Sequence, residues 1–346
     1  MPLTTSDTAH RCERIAPKRL AQRSHFPLMS RISPFTNVIS HFFEYDAMLT
    51  ALLDGEYSRD QLAKLKREGR RLVPDGEYLR YVALGDSQTE GLGDGDDATG
   101  LRGFADRFAE RLALVNPGVQ YANLAVRGRL AGQVREEQLG PALALRPDLA
   151  TVVAGVNDVL RPRFDATEVA GQLEEMFAEL TASSAHVVTL TFPDVGKIAP
   201  LARPLRSRVL ALNAHIRAAA ARHGVTVAET TQHMVTTDPR LWTADRLHAS
   251  PLGHERIAAA LAHALQLPGS DDAWTLPLPP RAIPPAHRAA VAELRWIAAF
   301  LGPWLGRRLL GRSSGDSRTA KRPQLLPLSG LPVAPSDTGP EGPPSL

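Results

Sequence analysis

Three residues of this chain have the types and the setting for nucleophilic catalysis: Ser87 in "YVALGDSQTEG", and Asp245 and His248 in "ADRLHASPLGHE". An unassisted serine hydroxyl is a poor nucleophile near neutral pH. A reacting serine therefore needs a base within hydrogen-bond reach, and the base needs an orienting partner. The spacing of Asp245 and His248 within a turn lets the carboxylate accept from the imidazole Nδ1 and leaves Nε2 facing outward. His248 would take the proton of Ser87 and later return it to the leaving group. Acyl transfer also needs donors aimed at the oxygen that becomes negative in the tetrahedral intermediate. Gly128, at the end of "YANLAVRG", lacks a Cβ and permits close approach of its backbone N–H. Asn157, in "VVAGVNDVL", offers a side-chain amide. With the backbone N–H of Ser87 these make a three-donor oxyanion hole.

Each residue also has an ordinary alternative. A Gly-Asp-Ser tripeptide alone is weak, Asn-Asp favours turns, Asp245 could cap the turn that follows it, and Gly128 could be a plain turn glycine. The other histidines lack the carboxylate spacing and position of His248. What favours the chemical reading is that Ser87, Gly128 and Asn157 each follow a β-type run.

Those runs are "YVALG" (81–85), "VQYANLA" (119–125), "LATVVAG" (149–155), "HVVTLTF" (186–192) and "VTVAET" (225–230). Helical patterns lie between them. Val169, Leu173, Met176, Phe177 and Leu180 fall on one helical face, with Asp165 and Glu168 as a capping box. Leu205, Val209, Leu212 and Ile216 make a second stripe, and another helix begins after Ser250. Five strands alternating with helices argue for a parallel sheet covered on both faces, with sites beyond the carboxyl ends of its strands.

The 346 residues, 43% hydrophobic and 22% charged, have an ordinary globular balance. The net charge of +3 is uneven: Arg281 to Arg322 carries nine Lys or Arg against two acids, so this segment is basic at +7 and the rest sums to about −4. One cysteine, Cys12, excludes an intramolecular disulfide and a multi-cysteine metal cage. No signal-peptide pattern is apparent and nothing approaches ~18 consecutive apolar residues; the expected location is cytoplasmic. The expected organisation is an N-terminal extension over 1–75 (disordered, then short helices), a catalytic domain over 76–268, a Pro-rich linker and basic amphipathic helix over 269–312, and a disordered tail over 313–346.

In these motifs the chain resembles the SGNH hydrolases, also called GDSL-type esterases and lipases. "GDSQTEG" matches that family's nucleophile block at Ser87, "NLAVRG" its glycine block at Gly128, Gly155 to Asp158 its G-x-N-D block with Asn157 as donor, and Asp245 to His248 its D-x-x-H block. The match spans about residues 80–265. It implies a flavodoxin-like three-layer α/β/α sandwich around a five-stranded parallel sheet, and hydrolysis of small-molecule esters through an acyl-serine without metal or cofactor. Gln88 departs from the family, where leucine is common, and bears on substrate preference more than on the chemistry.

A short acyl or O-acetyl ester is the expected substrate, with a lipid-directed acylhydrolase as the runner-up. No nucleic-acid partner is expected. The basic helix has two uses open to it: packing its apolar face on the main domain, which is favoured, or weak contact with an anionic membrane surface. A nucleotide- or flavin-binding module using "GLGDG" as a phosphate loop is the competing class, although "GLGDGDDATG" lacks the Lys-Ser/Thr ending of a P-loop and the terminal Glu of an EF-hand.

Overall fold

The computed structural model describes residues 78–280, 285–303, 306 and 315–328. The extension expected over 1–75 and the tail beyond 328 lie outside these residues.

The apolar run Tyr81–Leu84 is fully buried and forms the centre of strand β1 (Arg80–Gly85). Such a continuous buried run is what a strand covered on both faces requires. β2 (Gln120–Asn123), β3 (Leu149–Val153), β4 (His186–Leu190) and β5 (Thr226–Ala228) follow. β1 pairs in parallel with β2 and β3, β3 with β4, and β4 with β5. Their order, 2-1-3-4-5, is the flavodoxin-like one, in which the strand order reverses beside β1.

The sheet has six strands, one more than expected. β6 (Arg322–Pro327) pairs antiparallel with β2 at the sheet edge, Tyr121 opposite Leu326. It belongs to the Pro-rich segment whose composition reads as disordered. An edge strand bonds to a neighbour on one side only, so it accommodates Pro323 and Pro327 without breaking a central ladder. Lys321 fixes its start: Nζ donates to the Asp106 carboxylate at 2.6 Å and to the Leu101 carbonyl at 2.9 Å. The Arg322 guanidinium lies 5.6 Å from the Tyr121 ring centroid.

Helices cover the sheet. α1 (Ser87–Glu90) is a single turn, followed by α2 (Phe104–Val115), α3 (Ala131–Ala144), α4 (Ala166–Ala182), α5 (Arg206–His223) and α6 (Pro251–Ala264). α2 packs on α6, while α3, α4 and α5 pack in succession. The α4 stripe read from the sequence is buried, and Asp165 caps its N-terminus by accepting from the Thr167 and Glu168 N–H groups at 2.8 and 3.3 Å. α7 (Ala286–Trp296) stands after the linker. Its apolar stripe does not pack on the domain as favoured: Leu294 is 66% and Val291 45% exposed. The helix is bonded to the body by Glu293 and Trp296. No helix among the described residues is long and apolar enough to cross a membrane.

Candidate active site

Ser87 is the first residue of α1, placed there by the end of β1. Asp86 caps the turn through a 3.3 Å bond from the Gln88 N–H, and Gly91 ends it at φ 107°. The N–H of Ser87 thus has no acceptor within its own helix. Ser87 is buried, and among the described residues neither its hydroxyl nor the Gly128 N–H is paired within the protein. Gly128 has φ 80°, the left-handed region that glycine occupies without strain.

The turn bearing Gly128 is held from the serine side. The buried Glu90 carboxylate accepts from the Arg127 N–H at 2.6 Å and from its guanidinium at 2.9 and 2.6 Å. Arg127 also reaches Asp97 at 2.8 Å, and Asp97 accepts from Arg318 at 2.6 Å. Sequence reasoning missed Glu90, Arg127 and Arg318, because no local pattern links an acid after the serine to arginines so far along the chain.

Asn157 lies in the helical turn Val156–Val159 after β3. Its amide donates to Asp86 Oδ2 at 3.0 Å and to the Arg129 carbonyl at 3.1 Å, so both hydrogens are engaged. Burial pushes the Asp86 carboxyl up to about 7, against the Gln88 N–H, the His248 charge and the Asn157 amide. Burial likewise raises Asp158 to about 6, although it accepts from the Ala131 N–H at 3.0 Å at the start of α3.

Asp245 and His248 lie in the loop before α6. Asp245 Oδ2 accepts from His248 Nδ1 at 2.7 Å. Its Oδ1 accepts from the Thr243 hydroxyl at 2.6 Å and from the Leu247 and His248 N–H groups at 2.8 and 3.0 Å. Burial pushes the Asp245 carboxyl up, but the bond and charge of His248, with the Thr243 hydroxyl, outweigh it and hold the group well below the usual carboxylate range. Arg246 takes φ 60°, uncommon for a residue with a side chain. It pairs with Glu293 of α7 at 2.7 Å and sits 4.8 Å from the Trp296 ring centroid. The Trp296 indole N–H donates to the Asp245 carbonyl at 3.0 Å, a contact that no sequence signal announced.

The serine and histidine segments meet directly. Gln88 Nε2 donates to the Leu247 carbonyl at 2.8 Å, and its Oε1 accepts from the Ala249 N–H at 3.2 Å. His254 of α6 accepts from the Phe104 N–H at 3.0 Å and bonds the Leu92 carbonyl at 3.0 Å, which assigns its proton to Nε2. A Cβ on Gly93 would lie 2.1 Å from the Ala249 carbonyl oxygen. An apolar cavity of about 90 Å³ adjoins the site, lined by Gln88, Val156, Leu190, Phe192 and Leu247 among others. Its lining borders the segments of Ser87, Asn157 and His248.

This chain belongs to the GDSL-like lipase/acylhydrolase family, which matches residues 83–256. It is an ester hydrolase by that membership. No curated protein sequence matches it. Its structure is similar to three solved enzymes. With an α/β hydrolase from the metagenome of Lake Arreo, Spain, it shares 22% identity at TM-score 0.46, over 54% of this chain and 94% of the other. With an acetylxylan esterase from Geobacillus stearothermophilus the figures are 18%, 0.46, 56% and 96%. With a lipase/acylhydrolase from Enterococcus faecalis they are 22%, 0.44, 54% and 95%.

Proposed function

We propose that the protein cleaves a carboxylic ester through an acyl-serine on Ser87. The observation that carries this reading is the Asp245–His248 pair, bonded at 2.7 Å and held against the Ser87 segment. Asp245 keeps the Nδ1 proton and the ring orientation, leaving Nε2 as the base. Ser87 Oγ attacks the carbonyl carbon as His248 Nε2 takes its proton. The tetrahedral oxyanion lies between the Ser87 N–H, the Gly128 N–H and the Asn157 amide. Asn157 supplies its donor by exchanging the Arg129 carbonyl for the oxyanion, while Asp86 holds its other hydrogen. Collapse expels the alcohol with the proton from His248, and water, deprotonated by the same imidazole, then releases the acid.

The acyl group proposed is short. The apolar cavity of about 90 Å³ beside the site is the space offered to the acyl chain. The test is the initial rate on p-nitrophenyl acetate, butyrate and decanoate, beside Ser87→Ala. The expected result is Ser87-dependent turnover, greatest on the two shorter esters. Equal rates in both proteins would remove the acyl-serine, and a decanoate preference would remove the short acyl group.

A lipid-directed reading is favoured by one specific observation. The apolar stripe of α7 is exposed at Val291 and Leu294, with Arg288 and Arg295 exposed on the same helix, while Trp296 tethers that helix to Asp245. On this reading, activity rises and the protein floats with vesicles of anionic lipid but not of phosphatidylcholine. Equal behaviour on both vesicle types would exclude it.

A further inference from the structure

We propose that Gln88 is a positioning residue that sets the place of His248 relative to Ser87; the inference rests on the acyl-serine reading above. Gln88 follows Ser87 directly in α1, and its side chain spans the two peptide groups that bracket the histidine. The amide has one orientation open to it, because the Leu247 carbonyl can only accept and the Ala249 N–H can only donate.

His248 lies in a bend directly before an isolated antiparallel bridge between Trp242 and Ala249. Its own N–H and C=O find partners on one side, and the flanking Leu247 C=O and Ala249 N–H on another. On the first side, the His248 carbonyl accepts from the Thr243 N–H at 2.9 Å and the His248 N–H donates to Asp245 Oδ1 at 3.0 Å. On the other, Gln88 takes the place of a neighbouring peptide and satisfies both flanking groups. All four main-chain groups around His248 are thereby fixed, two of them by the residue next to the nucleophile.

Leucine or methionine at position 88 has neither the donor nor the acceptor, glutamate has only the acceptor, and asparagine is one methylene shorter. Glutamine alone among these carries both bonds at this length. The helix bearing the serine and the loop bearing the histidine cannot then drift apart without breaking two hydrogen bonds. A shift of about 1 Å between reacting groups can lower a rate on the order of 10²-fold.

Gln88 also lines the apolar cavity, so the test must separate positioning from substrate contact. Gln88→Met keeps the length and removes both bonds. With p-nitrophenyl butyrate, the expected result is a kcat lowered about 10- to 100-fold, a KM within about twofold, the same loss on the acetate ester, and a melting temperature close to wild type. A raised KM with unchanged kcat, or a loss that varies with acyl length, would make Gln88 a substrate contact and overturn the proposal. An unchanged kcat would overturn it as well. If Gln88→Met melts below the assay temperature, Gln88→Glu, which retains the acceptor for Ala249 but opposes a carboxylate to the Leu247 carbonyl, is read the same way. Ser87→Ala separates the two levels: wild-type turnover that survives it removes the acyl-serine reading and this inference together. A Ser87-dependent enzyme indifferent to position 88 removes this inference alone.

Discussion

Ser87 and Asn157 stand beyond the carboxyl ends of β1 and β3, neighbouring strands in register with Leu84 opposite Val152 and Gly85 opposite Val153. Asp245 and His248 stand on an irregular loop between a short 3₁₀ turn at Pro239–Leu241 and α6. The first pair inherits its position from the ladder of a buried sheet. The second is held by side chains bonding to main chain: Asp245 to the N–H groups of Leu247 and His248, Gln88 to Leu247 and Ala249, and Trp296 to Asp245. Strand ends need little beyond the sheet to be placed, whereas an irregular loop needs its own clamps. Residues outside Ser87, Asp245 and His248 should therefore matter more to the histidine half than to the serine half.

The largest expected effect treats both halves alike. Ser87→Ala and His248→Ala should each lower kcat by about 10⁴-fold or more without unfolding the protein, since triad members act as a unit. Steady-state rates with circular dichroism check this, and a His248→Ala variant within tenfold of wild type would break the assignment of the loop half.

Asn157→Ala comes next, with a kcat loss on the order of 10²- to 10³-fold, the range for a side-chain oxyanion donor. A change of only a few-fold would mean that the amide does no more than hold Asp86 and Arg129. Trp296→Phe keeps an aromatic ring beside Arg246 but removes the bond to the Asp245 carbonyl. The loss of one neutral hydrogen bond, about 0.5–1.5 kcal/mol, corresponds to a kcat lower by about two- to tenfold. An unaltered rate would show that α7 does not steady the loop.

The smallest effect is on stability, at a stitch between the halves. Burial pushes the His254 imidazole down to about 4, from an ordinary value near 6.5. Between those values the unfolded chain binds a proton that the folded protein does not. The His254 contribution is therefore full above pH ~6.5 and is lost as pH falls through about 4. Asp86, raised to about 7, works in the opposite sense: its contribution is full below the ordinary carboxylate value and is lost as pH rises towards 7. Comparing His254→Gln with wild type isolates the histidine. Urea unfolding at pH 4.5, 5.5 and 7 should show the variant's deficit shrinking as pH falls, and a constant deficit would exclude this linkage.

The sequence by itself determined the parts whose signals are local. The apolar runs at Tyr81–Leu84 and Leu149–Val153 are buried central strands, the spaced apolar residues from Val169 to Leu180 make the buried face of α4, and the Ser87 and Asn157 motifs fall at strand ends. Asp245 and His248 could be paired from spacing because their bond closes within one turn of chain. The tertiary structure alone decided the rest. Gln88 reads from the sequence as a departure near the nucleophile, and its two bonds go to residues 159 and 161 positions away. Lys321 and Arg322 read as part of a basic, Pro-rich tail, and only the partners Asp106 and Tyr121 turn that tail into an edge strand. The amphipathic helix α7 was legible, but not the polar contacts of Glu293 and Trp296 that tie it to the loop. Periodicity reports which side of an element is apolar; which side meets the rest of the protein depends on partners that only the folded chain brings together.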